Sequence, residues 1–559
     1  MRLCVLLVFV VLAPILGAQP TVRFDRENMR LRSATVTAQG SAFNLLLVMG
    51  NDNGTADGVL PSSYRRWWHC EIGGLRTSGE TLNVTIDRAG YTDVILPVWA
   101  LSTDGVTFGA YQRAPTSATP TVAGSQHRFT LQTPVGVRAL RLAKFFPYTV
   151  TQNDAWLQSL TGRPGIRGRA TLGLSRQGRP IQMLELTDRS VPDTLKHRVW
   201  VHTAVHPAET TANFVAEGLV EFLLSGDPLA ALILDHLIVD VVAMANPDGA
   251  FLGNYRTNAD SVNLEEQWAR PYASTVPEIV ALRSRIEALM GTVAAPASNP
   301  IEIVLNLHSS HGVSYPFHFQ HTANPGFDLN GSNSGVLPIV NQLEGQWIAA
   351  FRGRSAFVQR GATQSSSCGA PVRPFVECMM HDRWSSLAQW TGPGQRPVMA
   401  ITYEGTYGRG PDGVTWATDE DYRRNGAELG RALADFYHLE PGATLTAYGT
   451  DCNGPQLAGV VTGGSSVTVR FDYQHADLGA AALLLFGADQ QAIPLPQSAC
   501  LLRTTPAIQL FLARDAQGRA SLSVPMPLVT GFRANAQGVS WSPTAGFGST
   551  AGLEVRANF

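Results

Sequence analysis

Arg198-Val-Trp-Val-His-Thr203, followed shortly by His206-Pro-Ala-Glu209, is the stretch that decides how this chain is read. The first run is short and largely apolar, which suits a strand covered on both faces rather than a helix. Residues 237–243, 301–307 and 398–403 repeat the pattern. Helical stretches lie between these runs. Residues 211–224 place Phe214, Val215, Leu219, Phe222 and Leu223 at helical spacing, and a second stretch covers 419–437. The alternation predicts an α/β domain over 153–440, with a mixed central sheet covered by helices.

Outward from that domain, both flanks change character. Residues 19–152 carry short alternating runs, such as 43–48 and 82–86, separated by Gly, Asn, Asp and Pro turns. They predict an N-terminal β-sandwich. Beyond 440 the helical period stops. Runs at 467–471, 481–486, 508–511 and 522–524 predict a C-terminal all-β accessory domain over 441–559. At the other end, Met1-Arg2, the apolar residues 3–16 and Gly17-Ala18 read as a signal peptide over 1–18. That reading predicts a secreted or periplasmic protein with no membrane span in the mature chain, because the apolar run is shorter than the ~20 residues needed to cross.

With 44% apolar residues among 559, wholesale disorder is excluded. Forty-two basic against 44 acidic residues leave a net charge of −2, so no nucleic-acid partner is expected. Without Cys4, five cysteines remain. Proximity pairs Cys368 with Cys378 and Cys452 with Cys500, leaving Cys70 free. Since no CxxC pair occurs, a thiolate zinc site is not expected.

Sites in α/β sheets lie just beyond the carboxyl ends of strands. After the run ending at Thr203 come His206 and Glu209. After Leu307 come His308 and His311, and after Tyr403 comes Glu404. Two imidazoles and a carboxylate, with a fourth position left to water, make a catalytic zinc set. A further carboxylate nearby can take a proton from that water. Any one of these is weak alone, since a single histidine is more often structural. Their conjunction at strand ends of one domain carries the weight. His318 and His321 are three apart, which on a strand sends them to opposite faces and prevents a shared metal. Asn246-Pro-Asp-Gly249 reads as a structural turn, and Asn53-Gly-Thr55 fits a glycosylation sequon.

Taken together, His206-Pro-Ala-Glu209, Asn246-Pro-Asp-Gly249, Gly253-Asn-Tyr-Arg256, His308 and Glu404 resemble the zinc carboxypeptidase family. The likeness is to the cytosolic-carboxypeptidase-like branch with an N-terminal β-sandwich. Lys144-Phe-Phe-Pro-Tyr148 and Gly173-Leu-Ser-Arg-Gln-Gly-Arg-Pro-Ile181 add to it, over residues 80–440. The last stretch resembles a small β module of bacterial secreted proteins and is available to bind a surface or partner. The resemblance implies a metallocarboxypeptidase acting on a peptide or peptide-like substrate. It implies one Zn2+ held by His206, Glu209 and His308, Glu404 as base and acid, and Arg256 at the oxyanion.

One departure stands out. The family usually continues with Asp-Leu-Asn-Arg, whose last two residues clamp the substrate's terminal carboxylate. Here the chain reads Ser261-Val-Asn-Leu-Glu-Glu-Gln-Trp268, putting Glu265 and Glu266 at the clamp positions. The substitution predicts altered recognition of the terminal carboxylate, unless Arg270 restores a positive charge. Tyr403 and Tyr407 flank the base, but neither has the spacing of the family's substrate-side tyrosine. Two other readings remain open at this point: a zinc amidohydrolase on a non-C-terminal amide, such as one in a cell-wall fragment, and a catalytically silent binding protein.

Overall fold

The computed structural model describes residues 19–310, 315–327, 334–369, 372–387, 397–439, 442–463, 467–477, 481–525 and 532–558. The apolar run at 3–16 and His311 lie outside them. The chain forms two compact units. The first takes in residues up to Glu185, Val199–Glu221 and Asp240–Leu429. The second takes in Leu186–Arg198, Phe222–Val239 and everything from Gly430.

The first unit begins with a sandwich of two five-stranded sheets. One runs, in spatial order, Thr21–Arg23, His69–Gly73, Ala139–Ala143, Val98–Ser102 and Gln112–Arg113. The other runs Ser33–Gln39, Ala42–Val48, Thr81–Asp87, Gln126–Gln132 and Thr121–Ala123. Strict alternation explains the packing: in Thr81–Asp87 it is Leu82, Val84 and Ile86 that are buried. They meet Trp68, Cys70, Ile72, Leu140 and Leu142 in one core.

The larger sheet has eight strands, ordered Ile166–Leu174, Pro180–Leu186, Leu237–Val242, His197–Thr203, Ile301–Ser310, Met399–Thr406, Phe317–His321 and Gln364–Ser366. Ile301–Ser310 and Met399–Thr406 run parallel, and Phe317–His321 is antiparallel to the latter. The sheet is mixed, as expected, and every residue of Leu237–Val242 and all but the first of His197–Thr203 are buried, as two covered faces require. Two strands run further than their apolar stretches suggest. His308 and Glu404 lie inside the ladder as direct partners, not in loops after it.

Two helices of this unit cross at glycines. A Cβ on Gly218 would stand 1.9 Å from the Arg423 carbonyl oxygen, and one on Gly426 would stand 2.0 Å from that of Val215. Only glycine permits that backbone approach, which fixes the helix Thr211–Leu223 directly after Glu209. Asn246-Pro-Asp-Gly249 proves to open a short helix, Pro247–Leu252, rather than to form a turn. The Asn246 side chain caps it by accepting from Gly249 N at 3.0 Å. Asp248 then holds the Gly173–Ile181 motif, accepting from Ser175 Oγ at 2.8 Å and Gln177 N at 2.7 Å.

In the second unit, Gly442–Tyr448, Gly552–Asn558, Phe532–Ser542, Ala481–Gly487 and Ile508–Phe511 form a sheet, with Gly546–Ser549 paired at its side. A three-stranded sheet, Gln456–Gly463, Val467–Gln474 and Arg519–Pro525, accompanies it. Val469, Phe471, Leu484 and Val555 form their shared core. Cys452 and Cys500 are disulfide-bonded, as are Cys368 and Cys378 in the first unit, and Cys70 is a buried free thiol.

Candidate metal centre and active site

The strand His197–Thr203 ends in Ala204 at φ +56°, a left-handed conformation that costs a non-glycine residue about 1–2 kcal/mol. That kink turns the chain into His206-Pro-Ala-Glu209, whose Glu209 N donates to His206 O at 3.1 Å. His206, Glu209 and His308 are all buried and converge. His206 Nδ1 is 3.0 Å from Glu209 Oε1, and His308 Nδ1 is 2.8 Å from Glu209 Oε2 and 3.1 Å from His206 Nδ1. Ser309 N steadies the carboxylate by donating to Oε2 at 3.1 Å.

The outward ring nitrogens decide what the inward ones offer. Asn263 Nδ2 donates to Glu266 Oε1, so its amide oxygen must be the atom that faces His206 Nε2 at 3.0 Å. An oxygen there requires a proton on Nε2, which leaves the Nδ1 lone pair pointing inward. His308 Nε2 faces another acceptor, Glu265 Oε2, at 3.4 Å. Two lone pairs and a carboxylate aimed at one point fit a divalent ion, and acceptors behind ligating histidines are the usual way their orientation is fixed.

The electrostatics agree. Burial pushes His206 down to about 4, and the charge of Arg256 acts the same way. Burial also opposes charge on His308, but hydrogen bonding to Glu209 and Glu265 outweighs it and holds the imidazolium well above its usual range.

Glu404 is the register partner of His308 and lines the same cavity. Burial raises its carboxyl to about 8, and the nearby Glu209 carboxylate adds to the rise. Arg256 lines the same cavity, its guanidinium 4.0 Å from Glu209 Oε1 and 5.5 Å from the centre of the Tyr64 ring. Its loop is held by the sandwich: Asp52 accepts from the backbone N of Tyr255, Arg256 and Thr257 at 2.7, 2.9 and 2.8 Å. Asn53 beside it donates to Asn258 O at 2.8 Å and exchanges hydrogen bonds with Asn254. The residue read as a sequon is thus a clip. Neither Asp52 nor Asn263 stands out in the sequence, and only the Asn-Gly turn signal at 53–54 marks the neighbourhood of the first.

Glu265 and Glu266 part company. Leu264–Glu266 is a single 3-10 turn, in which neighbouring side chains diverge by about 120°. Glu265 is buried and lines the cavity, accepting from Asn306 Nδ2 at 3.0 Å, whereas Glu266 is exposed. Arg270 is exposed as well and does not line the cavity. Tyr403 is buried with its hydroxyl on Asn425 Oδ1, and Tyr407 stacks on Phe145 at 3.8 Å. The cavity holds about 410 Å³. Arg256 is the one arginine among the described residues lining it.

Comparison with known proteins places this geometry. Residues 154–364 match the zinc carboxypeptidase family. Human cytosolic carboxypeptidase 6 is 35% identical over 137 residues, 23% of this chain and 27% of that protein. Human cytosolic carboxypeptidase 2 is 31% identical over 169 residues, 29% of this chain and 19% of that one. The matched region spans about a quarter of such relatives. Among solved structures, a metallo-carboxypeptidase from Burkholderia cenocepacia superposes with a TM-score of 0.57 at 21% identity, covering 75% of this chain and 99% of that one. A metallo-carboxypeptidase from Pseudomonas aeruginosa gives 0.57 at 20% identity, covering 75% and 99%.

Residues 154–364 therefore resemble a zinc carboxypeptidase domain, and His206, Glu209 and His308 within them form a triad able to hold a metal ion. One expectation is corrected. Several of the relatives that match are named cytosolic carboxypeptidases, so the reading of a secreted or periplasmic protein is withdrawn. The expectation rested on a local pattern, a positive start, an apolar run and two small residues, and such a pattern does not by itself separate a leader from other apolar segments.

Proposed function

We propose that this chain hydrolyses peptide or peptide-like amide bonds at the His206–Glu209–His308 centre, with recognition of the substrate's end altered from the free-carboxylate clamp. Zinc bound by the three side chains would supply a Lewis acid that acidifies water and polarises the scissile carbonyl. Glu404 takes the proton from the attacking water and returns it to the leaving amine. Arg256, in the cavity wall 4.0 Å from Glu209, donates to the developing oxyanion, a role worth about 3–4 kcal/mol when one such donor is lost elsewhere. Asn263 and Glu265 keep the imidazoles oriented.

The observation that carries the altered recognition is Glu265 in the cavity wall, with Glu377 beside it and, among the described residues lining it, no arginine but Arg256. A terminal carboxylate about 4 Å from an ionised Glu265 would be repelled by about 4 kcal/mol at an effective dielectric near 20. A cation or a neutral amide is the better match for buried acceptors. Arg270 offers no compensation from its exposed position. The same wall favours, as a second reading, an amide that is not at a peptide C-terminus, such as one in a cell-wall fragment.

The test is one peptide series ending in a free acid, an amide or a basic side chain, assayed with wild type, Glu265→Asn and Glu266→Arg. Wild type is expected to accept the amide and basic ends at least as well as the acid. Glu265→Asn should shift preference toward the acid, and Glu266→Arg should change little. Cleavage restricted to free acids, unimproved by Glu265→Asn, would contradict the reading.

A further inference from the structure

Cys368 and Cys378 form a disulfide, and they are not alone. Both sulfurs and a ring nitrogen of His321 lie within 4.8 Å of one another, and all three residues are buried. Their sequence spacing gives no hint of this, because strand Phe317–His321 pairs with Gln364–Ser366 just before Cys368 and brings the histidine across. His321 is also oriented from behind. Its Nδ1 is 2.8 Å from Glu344 Oε1, while Glu344 Oε2 accepts from the His321 backbone N at 2.8 Å. Glu344 is fully buried on the helix Pro338–Arg354, so its carboxylate has few other partners to turn to. A carboxylate on Nδ1 fixes the proton there and leaves the Nε2 lone pair as the donor.

We propose that the reduced pair Cys368 and Cys378, with His321, forms a second metal site for zinc, separate from the catalytic triad and created by breaking the disulfide. Two thiolates and an imidazole are a zinc donor set that leaves a fourth position open, and thiolates select zinc or copper(I) over harder cations. A carboxylate–histidine pair behind the ligand is what such sites use to hold the ring in place. The chemistry balances with a thiol reductant. Two RSH reduce the disulfide to Cys368–SH and Cys378–SH and leave as RS–SR, and Zn2+ then displaces one proton from each thiol. The site adjoins the active cavity: His321, Ser366, Ser367 and Glu377 line its wall. Metal occupancy there would report the thiol state directly beside the substrate.

The experiment uses the full chain, oxidised or reduced with a phosphine that is then removed under anaerobic conditions. Zinc per chain is measured after gel filtration, with thiols counted in parallel. Oxidised protein is expected to hold about one zinc and reduced protein about two, the second lost in Cys378→Ser, retained in Cys452→Ser/Cys500→Ser, and bound about 10–100-fold more weakly in Glu344→Gln. His308→Ala should lose the first equivalent yet still gain one on reduction, so failure of the catalytic assignment and failure of this one look different. If Cys378→Ser does not fold, Co2+ added to reduced wild type decides, through a thiolate-to-cobalt charge-transfer band that oxidised wild type lacks. Reduced, folded protein with all thiols titrating and only one zinc would overturn the proposal, as would loss of the fold on reduction.

Discussion

His308 and Glu404 stand side by side because two parallel strands are in register, whereas Arg256 faces them because a carboxylate from another layer holds its loop. One wall of the cavity is fixed by the sheet's own ladder. The other is fixed by four hydrogen bonds to Asp52, about two hundred residues earlier in the chain. The ladder places His308 and Glu404 through bonds that the fold needs anyway. The clamp exists only to place a loop, so it can fail without unfolding the protein. The two walls should therefore respond differently to substitution.

The largest effect belongs to the proposed zinc ligands, of which His308 stands on the ladder and His206 just beyond a strand end. His206→Ala or His308→Ala should reduce zinc from about one per chain to almost none and abolish turnover, measured by metal analysis and peptide hydrolysis on the same sample. Next comes Glu404→Gln, which keeps shape but cannot take a proton. Zinc should stay while kcat drops by about 10²–10⁴.

The clamp wall is tested by Asp52→Asn. An amide offers one oxygen where the carboxylate serves three backbone N–H groups and the Thr257 hydroxyl. The loop should shift, and kcat/KM should drop by about 10²-fold with zinc content unchanged, since a misplacement of about 1 Å costs that much. Zinc loss in this variant would mean that the two walls are not independent.

The smallest effect concerns stability. Lys144 is buried with its Nζ 3.4 Å from the Tyr91 ring centre and no hydrogen-bond partner among the described residues. Burial holds its pKa well below the usual value, against the pull of Asp93. The unfolded chain therefore binds the proton more readily, and stability rises with pH until the unfolded lysine itself titrates near pH ~10.4. Lys144→Met should raise Tm at pH 7 by at least about 2 °C, with the gain shrinking toward pH 10 and activity unaffected. A gain independent of pH would point to packing instead.

The same division governs what could be read from sequence. Apolar runs and the polar residues after them announced the sheet, His206, Glu209, His308 and Glu404, because strand ends are local features. Hydropathy did not show that the strands continue through His308 and Glu404, since polar residues on a ladder look like loop. Glu265 and Glu266 were adjacent in sequence and taken together. A 3-10 turn, capped by Asn263, separates them by about a third of a revolution, and only Glu265 reaches the cavity. Asp52, Asn263 and the grouping of His321 with Cys368 and Cys378 were invisible for one reason. Each depends on which distant segment lies next to which, and no local pattern encodes that.

The central claim is that a zinc ion held by His206, Glu209 and His308 drives amide-bond hydrolysis in this cavity. The most direct measurement is mass-spectrometric analysis of a peptide library incubated with oxidised wild-type protein that has been stripped of metal and then titrated with zinc. The account predicts no cleavage by the stripped protein and products that appear in proportion to the first zinc equivalent, with none from His308→Ala at any zinc level. Cleavage by the stripped protein, or full zinc loading with no peptide or amide bond cut, would contradict it.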